Sequence, residues 1–160
     1  MDLSDHTRIL KTGKWKRVLA FGGKAFCTVT TENYVVQITG GSILITLKDT
    51  NHVVLHRKGY HYLYTGDVSP DETQLCVLEN GKHFYIITLS DFLPVQRITL
   101  PRSYEAIDVY PTYSADGTAL YIPVRQYADG DYRYQLCEYE TESYSLVKME
   151  PMRKSDVDHW

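Results

Sequence analysis

The chain has 160 residues, 43% of them hydrophobic and 23% charged, with a formal net charge of −3. That length buries a single domain's core without a metal or disulfide staple, and the interspersed charges leave no basic stripe for displacing phosphate counterions, which argues against a nucleic-acid partner. No apolar run approaches a membrane span and "MDLSDHTRIL" lacks a long apolar core, so a cytoplasmic protein with no membrane partner is expected.

In chain order, residues 1–14 read as a tail, and Lys11, Lys14, Lys16 and Arg17 read as a solvated approach to the first apolar run. From there on, runs of four to eight residues rich in Val, Ile, Thr, Tyr and Phe alternate with turn signals, which is the pattern of strands. The predicted strands cover 16–21, 24–30, 33–39, 42–48, 52–57, 61–68, 74–79, 83–89, 94–100, 106–113, 118–125, 132–139 and 143–149, with no helix. Turn signals separate them: Gly22-Gly23, Gly40-Gly41, Asn80-Gly81, Asp116-Gly117 and Asp129-Gly130. Asn-Gly and Asp-Gly supply the positive φ angles that primed hairpin turns require. An antiparallel all-β protein follows. Cys27, Cys76 and Cys137 are far apart, each inside an apolar segment, and read as buried free thiols.

The strands repeat. "SPDETQLCV" (Ser69–Val77) lies over "SADGTALYI" (Ser114–Ile122) at an offset of 45, and "ILITLKDTNHVVLHR" (Ile43–Arg57) over "YIITLSDFLPVQRIT" (Tyr85–Thr99) at an offset of 42. Two independent matches at nearly one period imply units of four strands. One all-β domain is expected over 15–149, in three units at about 22–58, 60–101 and 104–149, with 150–160 as a second tail. Lys14–Phe21 is a spare strand ahead of the first unit.

Four antiparallel strands at this period are the signature of β-propeller blades. The turn and strand "SPDETQLCV" resembles the loop and second strand of blades in WD-repeat and TolB-like propellers, where Ser-Pro-Asp-Gly precedes an apolar strand. Glu72 stands where the glycine usually is, and the Trp-Asp and Gly-His pairs of the WD repeat are missing. The resemblance is to the blade pattern and to no specific family.

Closed propellers have about four to eight blades. Three blades, with strands such as "FYIITL" apolar on both sides, would leave two apolar end faces. Three arrangements answer this: copies that close a ring, a partner chain or longer protein that supplies the missing blades, or a capped form such as a β-sandwich, with the spare strand available for pairing in trans.

The sequence carries no nucleophile elbow, phosphate-binding glycine loop or Cys-x-x-Cys pair. His52 and His56 would share a strand face but lie roughly 13 Å apart, too far to hold one ion. "DGD" (Asp129–Asp131) lacks the closing Glu of a calcium loop and reads as a hairpin tip. Asp71 and Asp116 read as turn caps. No catalytic, cofactor or metal residue is therefore assigned. Tyr62, Tyr64, Asp67, Tyr110, Tyr113 and Arg125 are the candidate rim or interaction residues, with Arg102 and Arg133 nearby in pattern. The expected function is a non-enzymatic interaction or scaffold module that binds itself or a protein partner. The alternatives are a hydrolase- or lyase-type propeller using Asp67, His61 and Tyr110, and a small-ligand site at the channel mouth.

Overall fold

In a computed structural model of the chain, residues 13–20 and 26–160 are described. Three antiparallel sheets follow one another along the chain. The first runs in order from β1 (Lys16–Leu19) through β2 (Cys27–Thr30), β3 (Tyr34–Ile38) and β4 (Ser42–Leu47) to β5 (Val53–Lys58). The second holds β6 (Leu63–Val68), β7 (Gln74–Glu79), β8 (His83–Thr88) and β9 (Pro94–Thr99). In the third, β10 (Glu105–Ala106) and β11 (Thr112–Tyr113) both pair with β12 (Ala119–Ala128), followed by β13 (Asp131–Glu140) and β14 (Leu146–Met152). A short helix, α1 (Lys154–Asp158), ends the chain.

Each hairpin is set by local chemistry. Asn80 (φ 54°) and Gly81 (φ 68°), like Asp129 (φ 54°) and Gly130 (φ 82°), place both central residues in the left-handed region, as a primed two-residue turn demands. The two matched repeats fold identically. Ser69 Oγ donates to Asp71 Oδ1 (2.7 Å), Thr73 N–H and Oγ1 donate to the same oxygen, and Gln74 N–H donates back to Ser69 Oγ. Ser114, Asp116, Thr118 and Ala119 reproduce every one of these bonds. Asp71 and Asp116 are turn residues, as their spacing predicts. Glu72 takes the left-handed conformation (φ 59°) that Gly117 takes in the other turn, and its carboxylate accepts from Asn33 N–H at 2.9 Å, tying the second sheet to the first.

The sheets stack face to face. Cys27, Val29, Val36, Ile38, Ile43 and Ile45 of the first meet Leu63, Val68, Leu75, Val77 and Ile87 of the second. The other face of the second sheet carries Tyr64, Cys76, Leu78, Phe84 and Ile86 against Leu120, Ile122, Val124, Cys137 and Tyr139 of the third. All six residues of β6 are buried, and this strand packs against β2 and β3 on one side and β11 on the other. At Gly66 there is no room for a side chain: a Cβ would stand 2.5 Å from Cys76 O and 2.7 Å from Ile38 Cδ1. An apolar strand buried on both faces is the arrangement of a blade between two neighbours. The three sheets form an unclosed run of β-propeller blades, and a sandwich is not needed to account for them.

Four expectations are corrected. Residues 150–160 are no free tail: Met152, Val157 and Trp160 are buried against Leu136, closing the outer face of the third sheet with a helix that five residues were too short to announce by periodicity. The two end faces are not both open and apolar. The third is covered in this way, and the outer face of the first sheet is mixed, with Thr28, Thr30, Gln37, Ser42 and Thr46 beside exposed Val18 and Val53 and half-buried Val35 and Leu44. The segment 106–113 is no single strand. It is interrupted between β10 and β11, where Pro111 has no N–H to give a ladder. The spare strand pairs in cis, with Lys16 opposite Thr30 and Leu19 opposite Cys27. The Gly22-Gly23 turn and Lys11 lie outside the described residues.

Candidate functional site

β1 forms an edge of the first sheet, and it and the two residues before it aim side chains at the ends of the other two. Lys14 Nζ donates to Pro70 O (2.9 Å) and Trp15 Nε1 to Ser69 O (3.1 Å). Arg17, which the sequence reading left in solvent, turns inward. Its Nη1 donates to Pro111 O (3.1 Å) and Thr112 Oγ1 (3.0 Å), its guanidinium stands 4.6 Å over the Tyr110 ring, and it pairs with Asp67 at 3.5 Å. Both charged side chains are only 5% exposed. One residue from β1 thus joins all three sheets.

Asp67 also accepts from Tyr113 N–H at 3.0 Å. Burial pushes its carboxyl up to about 6, against the opposing pull of Arg17 and the Tyr113 N–H. Burial likewise raises the Tyr110 phenol, to about 12. Its backbone carbonyl accepts from Trp160 Nε1 at 2.7 Å, so the last residue of the chain is tied to the same cluster.

The residues expected at the rim separate into two groups. Tyr64, Asp67 and Tyr113 are buried, which corrects their assignment to an interaction surface. Tyr64 and Tyr113 lie on β6 and β11, inside the contact between the second and third sheets, where the Tyr113 hydroxyl meets Tyr144 Oη at 2.8 Å and the Tyr64 hydroxyl has no partner among the described residues. Tyr62 remains exposed (49%), stacked 5.6 Å from Tyr64. Of the residues suspected for an enzyme, Arg17 brings Asp67 and Tyr110 together. His61 sits beyond the opposite end of β6, and its N–H donates to Glu79 Oε2. Glu79 is a buried carboxylate missed by sequence reasoning. Burial alone would raise its pKa, but the His61 N–H, the Tyr85 hydroxyl (3.0 Å) and His83 (3.0 Å) hold it below the usual range.

Arg125 organises the exposed group. It pairs with Glu105 at 2.8 Å and stands 4.4 Å over the Tyr132 ring, which meets Tyr127 edge-on at 5.3 Å and Tyr134 at 6.4 Å. Tyr127 is 66% exposed and Tyr132 39%. These residues occupy the distal part of the β12–β13 hairpin, whose strands are ten residues long where those of the second sheet have six. Arg133 belongs to the same hairpin and pairs with Asp129 at 3.0 Å. The sequence marks "DGD" as a hairpin tip, but Glu105, twenty residues from Arg125, gave no signal of its pairing.

No protein-family model matches this chain, and no curated protein matches it with significance. Solved structures are similar in fold. Hydrazine synthase of Kuenenia stuttgartiensis superposes with a TM-score of 0.50 at 10% identity, over 85% of this chain and 53% of that one. Dihydro-heme d1 dehydrogenase NirN gives 0.58 at 14%, over 91% and 28%. Oligogalacturonate lyase from Vibrio parahaemolyticus gives 0.52 at 11%, over 86% and 47%. These are β-propeller proteins, and at such identities the likeness concerns the fold alone. The chain spans between 28% and 53% of the length of these neighbours. The class defined by sheets and comparisons together is a β-propeller domain of three blade-like sheets.

Proposed function

We propose that this chain is a non-enzymatic interaction module of the cytoplasm, which associates with itself or with a partner chain through exposed aromatic and arginine side chains. The observation that carries this reading is the β12–β13 hairpin. It carries Tyr127 and Tyr132 beyond the body of the third sheet, with Arg125 stacked on Tyr132 at its root, and Tyr and Arg are the residue types that dominate binding energy at protein interfaces. The buried polar groups support the same reading: Asp67, Arg17, Tyr113 and Glu79 hold the sheets and connectors to one another. The three cysteines are free and buried, which suits a reducing compartment.

The test is site-specific cross-linking. A photoreactive amino acid at Tyr127 is expected to give a covalent adduct in cells, whereas the same group at exposed Glu32, on the first sheet, gives none. Absence of any adduct from Tyr127 overturns the proposal.

A further inference from the structure

The aromatic side chains of the β12–β13 hairpin stand in a row. Tyr127 lies opposite Tyr132 and Arg125 opposite Tyr134, which sets all four on one face. The rings of Tyr127, Tyr132 and Tyr134 follow one another at 5.3 and 6.4 Å. Arg125, itself held by Glu105, stands over the middle ring and fixes it. Beside this ridge runs a groove of about 500 Å³, within the range of ligand sites. Tyr132 and Tyr134 line it together with Pro151, Met152 and Lys154, from the corner where β14 passes into α1. Tyr134 and Met152 also belong to the apolar cluster under α1, so the groove continues that core to the surface.

Hydrogen-bond donors outnumber acceptors in the groove. Arg133 and Lys154 only donate, and the Tyr132 and Tyr134 hydroxyls add two further donors. Asp131 is the one carboxylate in the lining, and its Oδ1 already accepts the Tyr132 N–H at 2.8 Å. A fitting partner therefore offers carbonyl oxygens and few N–H groups. An added strand does not meet this condition, and β14 already pairs with β13 at Tyr134 and Gln135. A polyproline segment does. Proline has no N–H, the polyproline helix makes no internal hydrogen bonds, and its rings pack in aromatic-lined grooves. The tyrosine ridge is about as long as three or four residues of such a helix, at about 3.1 Å each.

We infer that the groove beside β13 binds a proline-rich segment, with its pyrrolidine rings against the tyrosine ridge and its carbonyls toward Arg133 and Lys154. The six prolines of this chain are scattered, none next to another, so the segment belongs to a different protein. This names the partner's chemistry within the interaction-module reading and rests on that reading.

The test is titration of an oligoproline peptide of about ten residues into isotopically labelled protein, followed by amide NMR shifts. Shifts are expected on the β12–β13 hairpin and at the β14–α1 corner, and none with a glycine–serine peptide of equal length. Tyr132→Ala and Tyr127→Ala are each expected to weaken binding by about tenfold, the scale of a hot-spot residue. Both side chains are exposed, and far-ultraviolet circular dichroism checks that each variant keeps its fold. No shift at millimolar oligoproline overturns the inference, as does equal binding of the glycine–serine peptide or an affinity unchanged in both variants. If Tyr127 cross-links a protein in cells while oligoproline does not bind, this inference fails and the interaction-module proposal stands.

Discussion

Arg17 and Asp67 face each other at 3.5 Å from two different sheets, each side chain almost sealed from solvent. Removing one member of such a pair leaves a buried uncompensated charge, which costs about 3–5 kcal/mol. Arg17→Ala is therefore expected to lower the denaturant midpoint severely. Adding Asp67→Asn to that variant is expected to recover part of the loss, because no lone charge remains. Chemical denaturation of the two single variants and the double variant measures this directly.

The same carboxyl gives a pH signature opposite in sign to that of most acids. Its folded pKa, pushed up to about 6, lies above the ordinary 3.8, so between those values the native state holds more proton than the unfolded chain. The Asp67 contribution is greatest below the ordinary value and is lost as pH rises through about 6. Between pH 7 and pH 4 the wild type is expected to gain stability relative to Asp67→Asn as the pH falls, measured as the difference between their unfolding midpoints. A wild type that loses stability relative to the variant on acidification contradicts the raised pKa.

Gly66 allows the first and second sheets to approach. Gly66→Ala would press a methyl group into Cys76 O and Ile38 Cδ1, inside contact distance of both. One neighbour is backbone and cannot swing aside. Overpacking of this kind costs about 1–3 kcal/mol, and the expected loss is at the upper end of that range, visible in thermal unfolding followed by circular dichroism. Gly59→Ala, where no atom lies within 4 Å of the new group, is the control for space, although its φ of 98° adds backbone strain of its own.

Trp160 closes the outer face of the third sheet over Leu136 and Met152. Replacing a buried Trp by Ala typically costs about 3–5 kcal/mol. Trp160→Ala should also uncover apolar surface, so increased binding of a hydrophobic dye at temperatures below the unfolding transition is expected. Unchanged dye binding and stability would show that the Trp160 contact is dispensable.

Cys27, Cys76 and Cys137 are buried, and burial raises each thiol, to about 11 for Cys27 and about 12 for Cys137. Since thiolate is the reactive form, none of the three should react with a disulfide reagent at neutral pH in the folded protein. All three are expected to react in denaturant, in one phase if unfolding is concerted.

Much of the blade pattern was legible in the sequence because it rests on local signals. The Ser-x-Asp-x-Thr turns bond within six residues, and Asn80-Gly81 fixes its hairpin through two positive φ angles. What was not legible depends on residues distant in the chain. Arg17 looked like one more surface cation until its contacts with Pro111 and Thr112, 94 and 95 residues away, gave it an interior position. Tyr64 and Tyr113 have the composition of a rim, and only the stacking of sheets decides that they are core. The 106–113 segment misled for a physical reason: its apolar residues Ile107 and Val109 serve the cluster under α1, and between β10 and β11 the chain bends to bring them there.

The complete burial of β6 bears on how the molecule comes apart. A blade covered on both faces exposes apolar surface whichever neighbour leaves, so neither outer sheet can detach while the middle one stays folded without a large penalty. Arg17 adds a second link, since its loss from one sheet unpairs Asp67 and Thr112 on the other two at once. The repeats are thereby coupled into one cooperative unit, and slowly exchanging amides should be distributed over all three sheets instead of concentrated in one.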